Sequence, residues 1–159
     1  MTERFSIYGK IRHNNRLIAD ITKRITLIPQ ARNDDAITGN YYITDGETAW
    51  SLAQDFYNDS DYYWLILLVN EITSPFFDWP LTTSEFERYM DNRYGLAADD
   101  TRYYLYQDRE WETLVNPEAY PVSNREYEHN LNENRRKVKI VRQEWLDKVV
   151  QEHKDLLTD

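Results

Sequence analysis

The feature that most constrains the fold of this chain is the segment that spans residues 41–72. It reads YYITDGETAWSLAQDFYNDSDYYWLILLVNEI, with one glycine, two apolar blocks and neither cysteine nor histidine. A short strand over 40–44 leads into a turn at Gly46, and Asp45 or Thr48 can cap the helix that follows. Apolar residues recur at helical spacing over 47–57. The segment therefore predicts a strand, a turn and a helix.

The second apolar block, YYWLILLV over 62–69, is the longest apolar run in the chain. Its eight residues are far short of the ~20 that span a bilayer. Periodicity alone does not separate a buried helix from a buried strand here. Asn70 favours a helix, because asparagine can take the left-handed conformation that ends one.

The residues after this block predict a loop, a helix, two strands and a closing helix. Residues 71–81 form a loop, and Thr82 with Glu85 predicts a capping box for a helix that stops at Gly95. Strands are predicted over 103–106 and 111–115, and the polar stretch 116–134 is predicted to be mostly loop. A strand over 137–141 then runs into an amphipathic helix with Trp145, Val149 and Leu156 on one face.

The first forty residues predict an extension to this unit. Ile18, Ile21, Ile25 and Ile28 follow a helical spacing, although isoleucine and threonine also favour strands. Pro29 ends that element, and 30–40 is predicted to be a loop. We therefore predict an α+β protein with an N-terminal arm over 1–40, a core with an extra helix over 41–95, and C-terminal strands plus a closing helix over 96–159.

The net charge of the chain limits the classes of partner that we expect it to bind. It carries 28 acidic and 19 basic residues, a net charge of −9. A surface of that sign repels phosphate groups, so we expect neither nucleic acid nor an anionic membrane as the partner. The basic stretch NRRKVKIVR over 134–142 runs against this trend. Two interpretations of it stay open: the solvated side of a strand, or a docking patch for an acidic partner.

No residue pattern in the chain predicts catalysis. Cysteine is absent, and His13, His129 and His153 lie at no metal-ligand spacing. Ser51 and Ser84 lack the GxSxG context of an activated serine. Among the 28 acidic residues, no pair stands out as the facing carboxylates that a glycosidase needs. We therefore predict no catalytic residue, no metal and no cofactor.

The order of elements over 41–72 resembles a LysM module. Gly46-Glu47-Thr48 stands where that family usually has Gly-Asp-Thr, and Trp50-Ser51-Leu52-Ala53 follows like its first helix. Trp64, Leu65, Ile66 and Asn70 match its second helix and closing asparagine. The resemblance implies a strand-helix-helix core with a groove that binds N-acetylglucosamine polymers. The groove residues it implies are Asp45, Gly46, Glu47, Thr48, Asn70 and Glu71.

The resemblance to a LysM module ends after the second helix. Where that family has a turn and a second strand, this chain has SPFFDWPLTTSEFERYM from Ser74 onward. One wall of the groove is therefore altered, and the second strand is either shortened or supplied elsewhere. Binding of peptidoglycan is the alternative function that follows from this resemblance.

Most of the chain resembles the small LysM-like wedge subunit in the baseplates of contractile-tailed bacteriophages. Two features carry the resemblance: the late basic strand with its final helix, and the residues Tyr63-Trp64, Asn70, Phe76-Phe77, Trp79 and Thr83-Ser84. It implies a structural protein without enzyme activity, present in several copies in the virion tail and assembled in the host cytoplasm. The implied partners are other wedge proteins and sheath-initiating or hub-proximal subunits, with the wedges joined into a ring around the hub.

Aromatic residues provide the candidate contact surface. Phe76, Phe77 and Trp79 lie on a proline-bounded loop, where large apolar side chains are covered either by a partner or by the domain itself. We predict that these three residues bind a partner. In contrast, we expect Tyr41, Tyr42, Trp50 and Trp64 to pack in or near the core.

Overall fold

The computed structural model describes residues 9–19, 26, 29–114 and 116–158. It mixes helices with antiparallel strands, which confirms the predicted α+β class. The chain divides into two compact units. The first holds the described residues up to 41, residues 47–78 and those from 138 onward; the second holds 42–46 and 79–137. The division into segments 1–40, 41–95 and 96–159 stays a prediction.

The first unit holds all but one residue of each of two paired strands that lie far apart in the sequence. Strand β3 spans Thr38–Tyr42, two residues earlier than predicted, and it pairs with β7, Lys137–Val141. Beyond one end of the pair, Arg142 N–H donates to the Ile37 carbonyl at 2.8 Å. At the other end, Ile43 N–H donates to the Arg136 carbonyl at 2.9 Å. The two strands are therefore antiparallel, and β7 supplies the partner strand that is absent after the second predicted helix.

Three helices of at least seven residues lie in this unit, all of them where the sequence predicts a helix. They are α2 (Ala49–Tyr57), α3 (Tyr63–Val69) and α6 (Gln143–Thr158). The Thr48 side chain caps α2 by accepting the Ser51 N–H at 3.1 Å. Helix α2 packs on α3 and α6. Their shared core buries Leu52, Ala53, Leu65, Ile66 and Val69 almost completely, which is the main source of stability in a unit of this kind.

The stripe predicted on α6 is partly wrong. Val149 is buried, but Leu156 is 49% exposed, and the following Leu157 is buried instead. The other buried residues of the helix are Leu146 and Val150. Spacings of 4 and 7 residues mark a face only roughly, since a helix turns 100° per residue. In the described residues no helix is both long and apolar enough to cross a membrane.

The N-terminal part of the first unit differs from the sequence prediction. A hairpin forms from β1 (Lys10–His13) and β2 (Arg16–Ala19), so Ile18 lies in a strand. The other three isoleucines of the predicted helical face, Ile21, Ile25 and Ile28, lie outside the described residues. Pro29 begins the short helix α1 (Pro29–Arg32) inside the stretch predicted to be loop. Proline is favoured in a first helical turn, where its missing N–H costs nothing.

The second unit begins with helix α4, Thr83–Arg93. Its capping box is present as predicted, because Thr82 accepts the Glu85 N–H while Glu85 accepts the Thr82 N–H. Gly95 follows the helix with a φ of +54°, a conformation that glycine adopts without strain. Phe86, Met90 and Ala98 form a buried cluster, with Leu81, Tyr89 and Tyr94 packed against it.

Three antiparallel strands form the sheet of the second unit in the order β5-β4-β6. They are β4 (Thr101–Tyr106), β5 (Arg109–Trp111) and β6 (Tyr120–Ser123). The predicted strands over 103–106 and 111–115 start too late. Gln107 and Asp108, with φ of 49° and 59°, make a tight turn, so β5 begins at Arg109. Two such left-handed residues are typical of the turn that joins hairpin strands.

Helix α5, Asn124–Arg135, and strand β6 correct the prediction of loop over 116–134. The stretch has few apolar residues, which hid the helix. The Ser123 side chain caps it by accepting the Glu126 N–H at 3.1 Å. Asn132 is 6% exposed and its amide bonds the backbone N–H and carbonyl of Leu81 at 2.7 and 3.0 Å. The helix is thus held by polar contacts more than by an apolar stripe.

Candidate functional site

Two adjacent phenylalanines stand out on the surface of the first unit. Phe76 is 83% exposed and Phe77 is 79% exposed, on the loop that follows α3. Neither side chain is buried against the part of the chain that the structure describes. Aromatic side chains bring a large apolar area to an interface and are frequent anchors there. The loop is therefore the candidate contact site.

The loop that carries these rings is a tight turn closed by Asp78. The Asp78 carboxylate accepts the Ser74 N–H at 2.9 Å and the Thr73 hydroxyl at 3.2 Å. The N–H groups of Phe77 and Asp78 donate to the Ser74 carbonyl at 3.2 and 2.8 Å. Pro75 fixes one further dihedral angle. These hydrogen bonds and the proline restrict the backbone of the turn.

Asn70 holds the start of this loop. Its Nδ2 donates to the Lys139 carbonyl at 2.8 Å, and its Oδ1 accepts the Lys139 N–H at 2.8 Å. The expected left-handed conformation belongs to the next residue: Asn70 has a φ of −95°, whereas Glu71 has a φ of 56°. Glu71 pairs with Arg32 at 2.6 Å. Asn70 therefore ends the helix through its side chain, and Glu71 turns the chain.

Trp79 differs from the two phenylalanines. It belongs to the second unit, and its side chain is only partly exposed. Exposure therefore singles out Phe76 and Phe77 among the three residues predicted to bind a partner.

The six residues predicted for a sugar groove divide between the two units. In the first unit, Glu47 accepts the Tyr41 hydroxyl at 2.7 Å, and this hydrogen bond is the main cause that raises the pKa of Tyr41. Thr48 caps α2, and Asn70 and Glu71 hold the chain as described above. Four of the six residues therefore have a structural role within that unit.

The other two groove residues, Asp45 and Gly46, belong to the second unit. Asp45 accepts the Thr83 N–H at 2.9 Å and pairs with Arg136 at 3.2 Å. The Thr83 N–H is the main cause that lowers the pKa of this carboxyl. Gly46 has a φ of +86°, which explains the glycine at this turn.

In the basic stretch 134–142, Arg135, Lys137 and Arg142 are exposed, in agreement with the interpretation as a solvated face, but Arg136 departs from it. Rather than facing solvent from a strand, it is 8% exposed. Its guanidinium donates to the carbonyls of Ile43 and Leu81 at 3.2 and 3.0 Å. It also pairs with Asp45 and with Glu133, at 3.2 and 3.0 Å. The planar fork of arginine suits this spread of acceptors.

The aromatic residues expected in or near the core are only partly there. Trp64 is half-buried and stacks on His153 with ring centroids 4.7 Å apart. Tyr41 is half-buried, and its ring is nearly perpendicular to that of Phe56 at a centroid distance of 5.2 Å. However, Tyr42 is 49% exposed and Trp50 is 42% exposed, so the expectation is wrong for these two. They lie on the solvent-facing sides of β3 and α2. Strand alternation and helical spacing in the sequence did not distinguish these sides from the buried ones.

An open groove of about 440 Å³ lies within the second unit. It is lined by Phe86 and by charged side chains of both signs, among them Arg125, Glu87, Glu126 and Arg136. Arg125 is paired with Glu87 at 2.8 Å and with Asp99 at 3.3 Å. Both arginines that line the groove are thus paired with carboxylates. No group of three or more histidine and acidic side chains among the described residues could hold a metal ion.

A model of the family described as base plate wedge protein 53 matches residues 18–94, which is 77 of the 159 residues. The match covers the loop with Phe76 and Phe77 and the residues that hold it. No curated protein matches the chain significantly.

Proposed function

Because a model of the base plate wedge protein family matches residues 18–94, we propose that this chain is a phage baseplate wedge protein that binds neighbouring wedge subunits and helps to join wedges into the ring around the tail hub. The proposed structural role in the baseplate implies a location in the tail of the virion. The proposed contact is the turn over 73–78 with Phe76 and Phe77 at its tip.

The observation that carries this proposal is the exposure of Phe76 and Phe77, about four fifths each, on a turn that is already fixed. A partner that covers both rings removes a large apolar area from water, which is favourable. Because Asp78 and Pro75 order the backbone beforehand, binding loses little further conformational entropy. The turn therefore combines the two properties of a strong anchor, apolar area and prior order.

We propose that the protein has no enzyme activity and takes no cofactor. The acidic residues of the implied groove, Asp45, Glu47 and Glu71, are each bonded to another residue within their own unit. The family match does not favour the peptidoglycan-binding alternative. The groove positions then serve to hold the loop and the turns rather than to bind a sugar.

The proposed partners are other wedge proteins, together with sheath-initiating or hub-proximal subunits. The family match implies association with baseplate subunits in general. Several copies per virion and assembly in the host cytoplasm complete the proposal. With 28 acidic and 19 basic residues, the chain is a poor match for nucleic acid or an anionic membrane.

Binding of the purified protein to the other wedge subunits encoded with it tests this proposal. The variant Phe76→Ala/Phe77→Ala should keep its fold, because both rings are exposed, and should bind about thirtyfold more weakly or worse, as expected for anchor residues. The matched control is Phe56→Ala, which removes a ring that is 38% exposed on α2. If the double variant binds like wild type to every subunit, the loop is not the contact.

A further inference from the structure

We propose that the hairpin β1–β2 is a second docking surface, which takes an extended acidic segment of another wedge subunit as a third strand. This inference rests on the proposed function, because it assumes that the chain is built into a wedge beside other subunits. It differs from that function in surface and in chemistry: the phenylalanine loop is apolar, whereas the hairpin is cationic.

The hairpin is a ribbon with open edges. Ile11 pairs with Ile18 and Arg12 with Leu17, and the two-residue turn consists of Asn14 and Asn15 with φ of 47° and 62°. No third strand pairs with the ribbon in the described part of the chain. Backbone N–H and C=O groups along its outer edges can therefore pair with an added strand.

The side chains of the ribbon are also uncovered. Ile11 and Ile18 share one face and are 42% and 44% exposed, and Leu17 on the other face is 67% exposed. A two-stranded ribbon by itself is marginally stable in water. The residue before the ribbon is nevertheless attached to helix α6, since the Gly9 N–H donates to the Leu157 carbonyl at 3.1 Å. Covering the aliphatic side chains would stabilise the ribbon.

The charge of the ribbon defines the partner. Residues 9–19 contain Lys10, Arg12 and Arg16 but no acidic residue, in a chain of net charge −9. None of these three cations forms an ion pair with a described carboxylate. In contrast, Arg32, Arg125 and Arg136 each form at least one ion pair. Among the described residues, no carboxylate therefore competes with an incoming segment for these cations. The complementary segment carries Asp or Glu alternating with apolar residues.

The test uses the variant Lys10→Glu/Arg12→Glu/Arg16→Glu, with the separately purified wedge subunits encoded beside this protein as probes. One acidic subunit should bind wild type and should bind this variant about tenfold more weakly or worse, as expected for three ion pairs exchanged for repulsions. Affinity for wild type should fall as salt rises. Binding should also slow hydrogen exchange of the amides over 10–19, since a third strand takes up N–H groups.

The matched control is Arg88→Glu/Arg109→Glu/Lys148→Glu, which changes the net charge equally at exposed positions outside the ribbon. The control should bind like wild type. If the ribbon variant also binds like wild type, or exchange over 10–19 is unchanged on binding, the inference is overturned. Self-association of wild type that the ribbon variant loses would overturn it too, in favour of a second copy as the occupant. If Phe76→Ala/Phe77→Ala weakens binding and the ribbon variant does not, the proposed function stands and only this inference fails.

Discussion

The side-chain amide of Asn70 bonds both backbone groups of Lys139, a residue 69 positions later, with two contacts of 2.8 Å each. These two hydrogen bonds connect the end of α3 to strand β7. Asn70→Ala leaves both groups of Lys139 without this partner, so the free energy of unfolding should fall by about 1–3 kcal/mol. Denaturant unfolding measures the change. The exposed Asn130→Ala is the control, with an expected change of less than about 0.5 kcal/mol.

The carboxylate of Asp78 is expected to matter for binding more than for stability. Asp78→Ala removes the acceptor of the Ser74 N–H and of the Thr73 hydroxyl, so the turn with Phe76 and Phe77 loosens. Ordering the turn again on binding costs entropy, and affinity for a wedge subunit should fall about threefold to tenfold. Titration of the purified subunits measures this, with the exposed Asp91→Ala as control. Unchanged affinity in Asp78→Ala would show that the turn is not ordered by this side chain.

Arg136 is expected to be a large contributor to the stability of the second unit. Arg136→Met keeps much of the side-chain volume but removes the donor to the Ile43 carbonyl and the cation that pairs with Asp45 and Glu133. The free energy of unfolding should fall by about 2–4 kcal/mol. Arg136→Lys should recover only part of the loss, because one ammonium cannot reach acceptors on all sides. Calorimetry on both variants and on the exposed Arg88→Met checks this, and equal melting temperatures for all three would contradict it.

Acid should destabilise the second unit through Asp45 and Glu85. The Thr83 N–H lowers the pKa of Asp45 below its ordinary 3.8, and the Thr82 N–H lowers the pKa of Glu85 below its ordinary 4.5. A carboxyl whose folded pKa is depressed stabilises the fold above its ordinary pKa, and this stabilisation is lost as the pH falls through the folded value. Stability should therefore fall as the pH drops below about 4.5.

The variants Asp45→Asn and Glu85→Gln separate these two contributions. Each should flatten the decline of the unfolding free energy between about pH 5 and pH 2, because the amide does not titrate. The exposed Glu118→Gln serves as control and should leave the slope as in wild type. A slope that neither variant changes would mean that other groups govern the response to acid.

Local chemistry made the central part of the fold predictable. The apolar spacing of α2, the Thr82 and Glu85 capping box and Gly95 after α4 each follow from residues within a few positions of one another. Such patterns reflect interactions between residues that are close in sequence, and in this part of the chain those interactions determine the structure.

Helix α5 was missed for the opposite reason. Its contacts are polar and distant in sequence, as when Asn132 bonds Leu81, so no apolar period marks it. The cap formed by Ser123 and Glu126 was the one local pattern that could have revealed it. In the same way, two left-handed asparagines, Asn14 and Asn15, could have predicted the hairpin β1–β2.

The candidate site was predictable in composition but not in geometry. Adjacent Phe76 and Phe77 on a proline-bounded loop are visible in the sequence, yet their exposure depends on how far the loop projects from the unit. The hydrogen bonds of Asp78 with Ser74 and Thr73 determine this projection, and so do the hydrogen bonds of Asn70 with Lys139. Their roles become visible only when strand β7 is in place.

The pairing of β3 with β7 has a consequence for synthesis of the chain. Residues 79–137 are inserted between the two halves of the first unit, so the sheet closes only after Val141 has left the ribosome. High contact order slows folding, and an unpaired strand edge invites aggregation in the meantime. A nascent chain that stalls within the insertion carries β3, α2 and α3 with nothing to complete them, and is a natural substrate for chaperones.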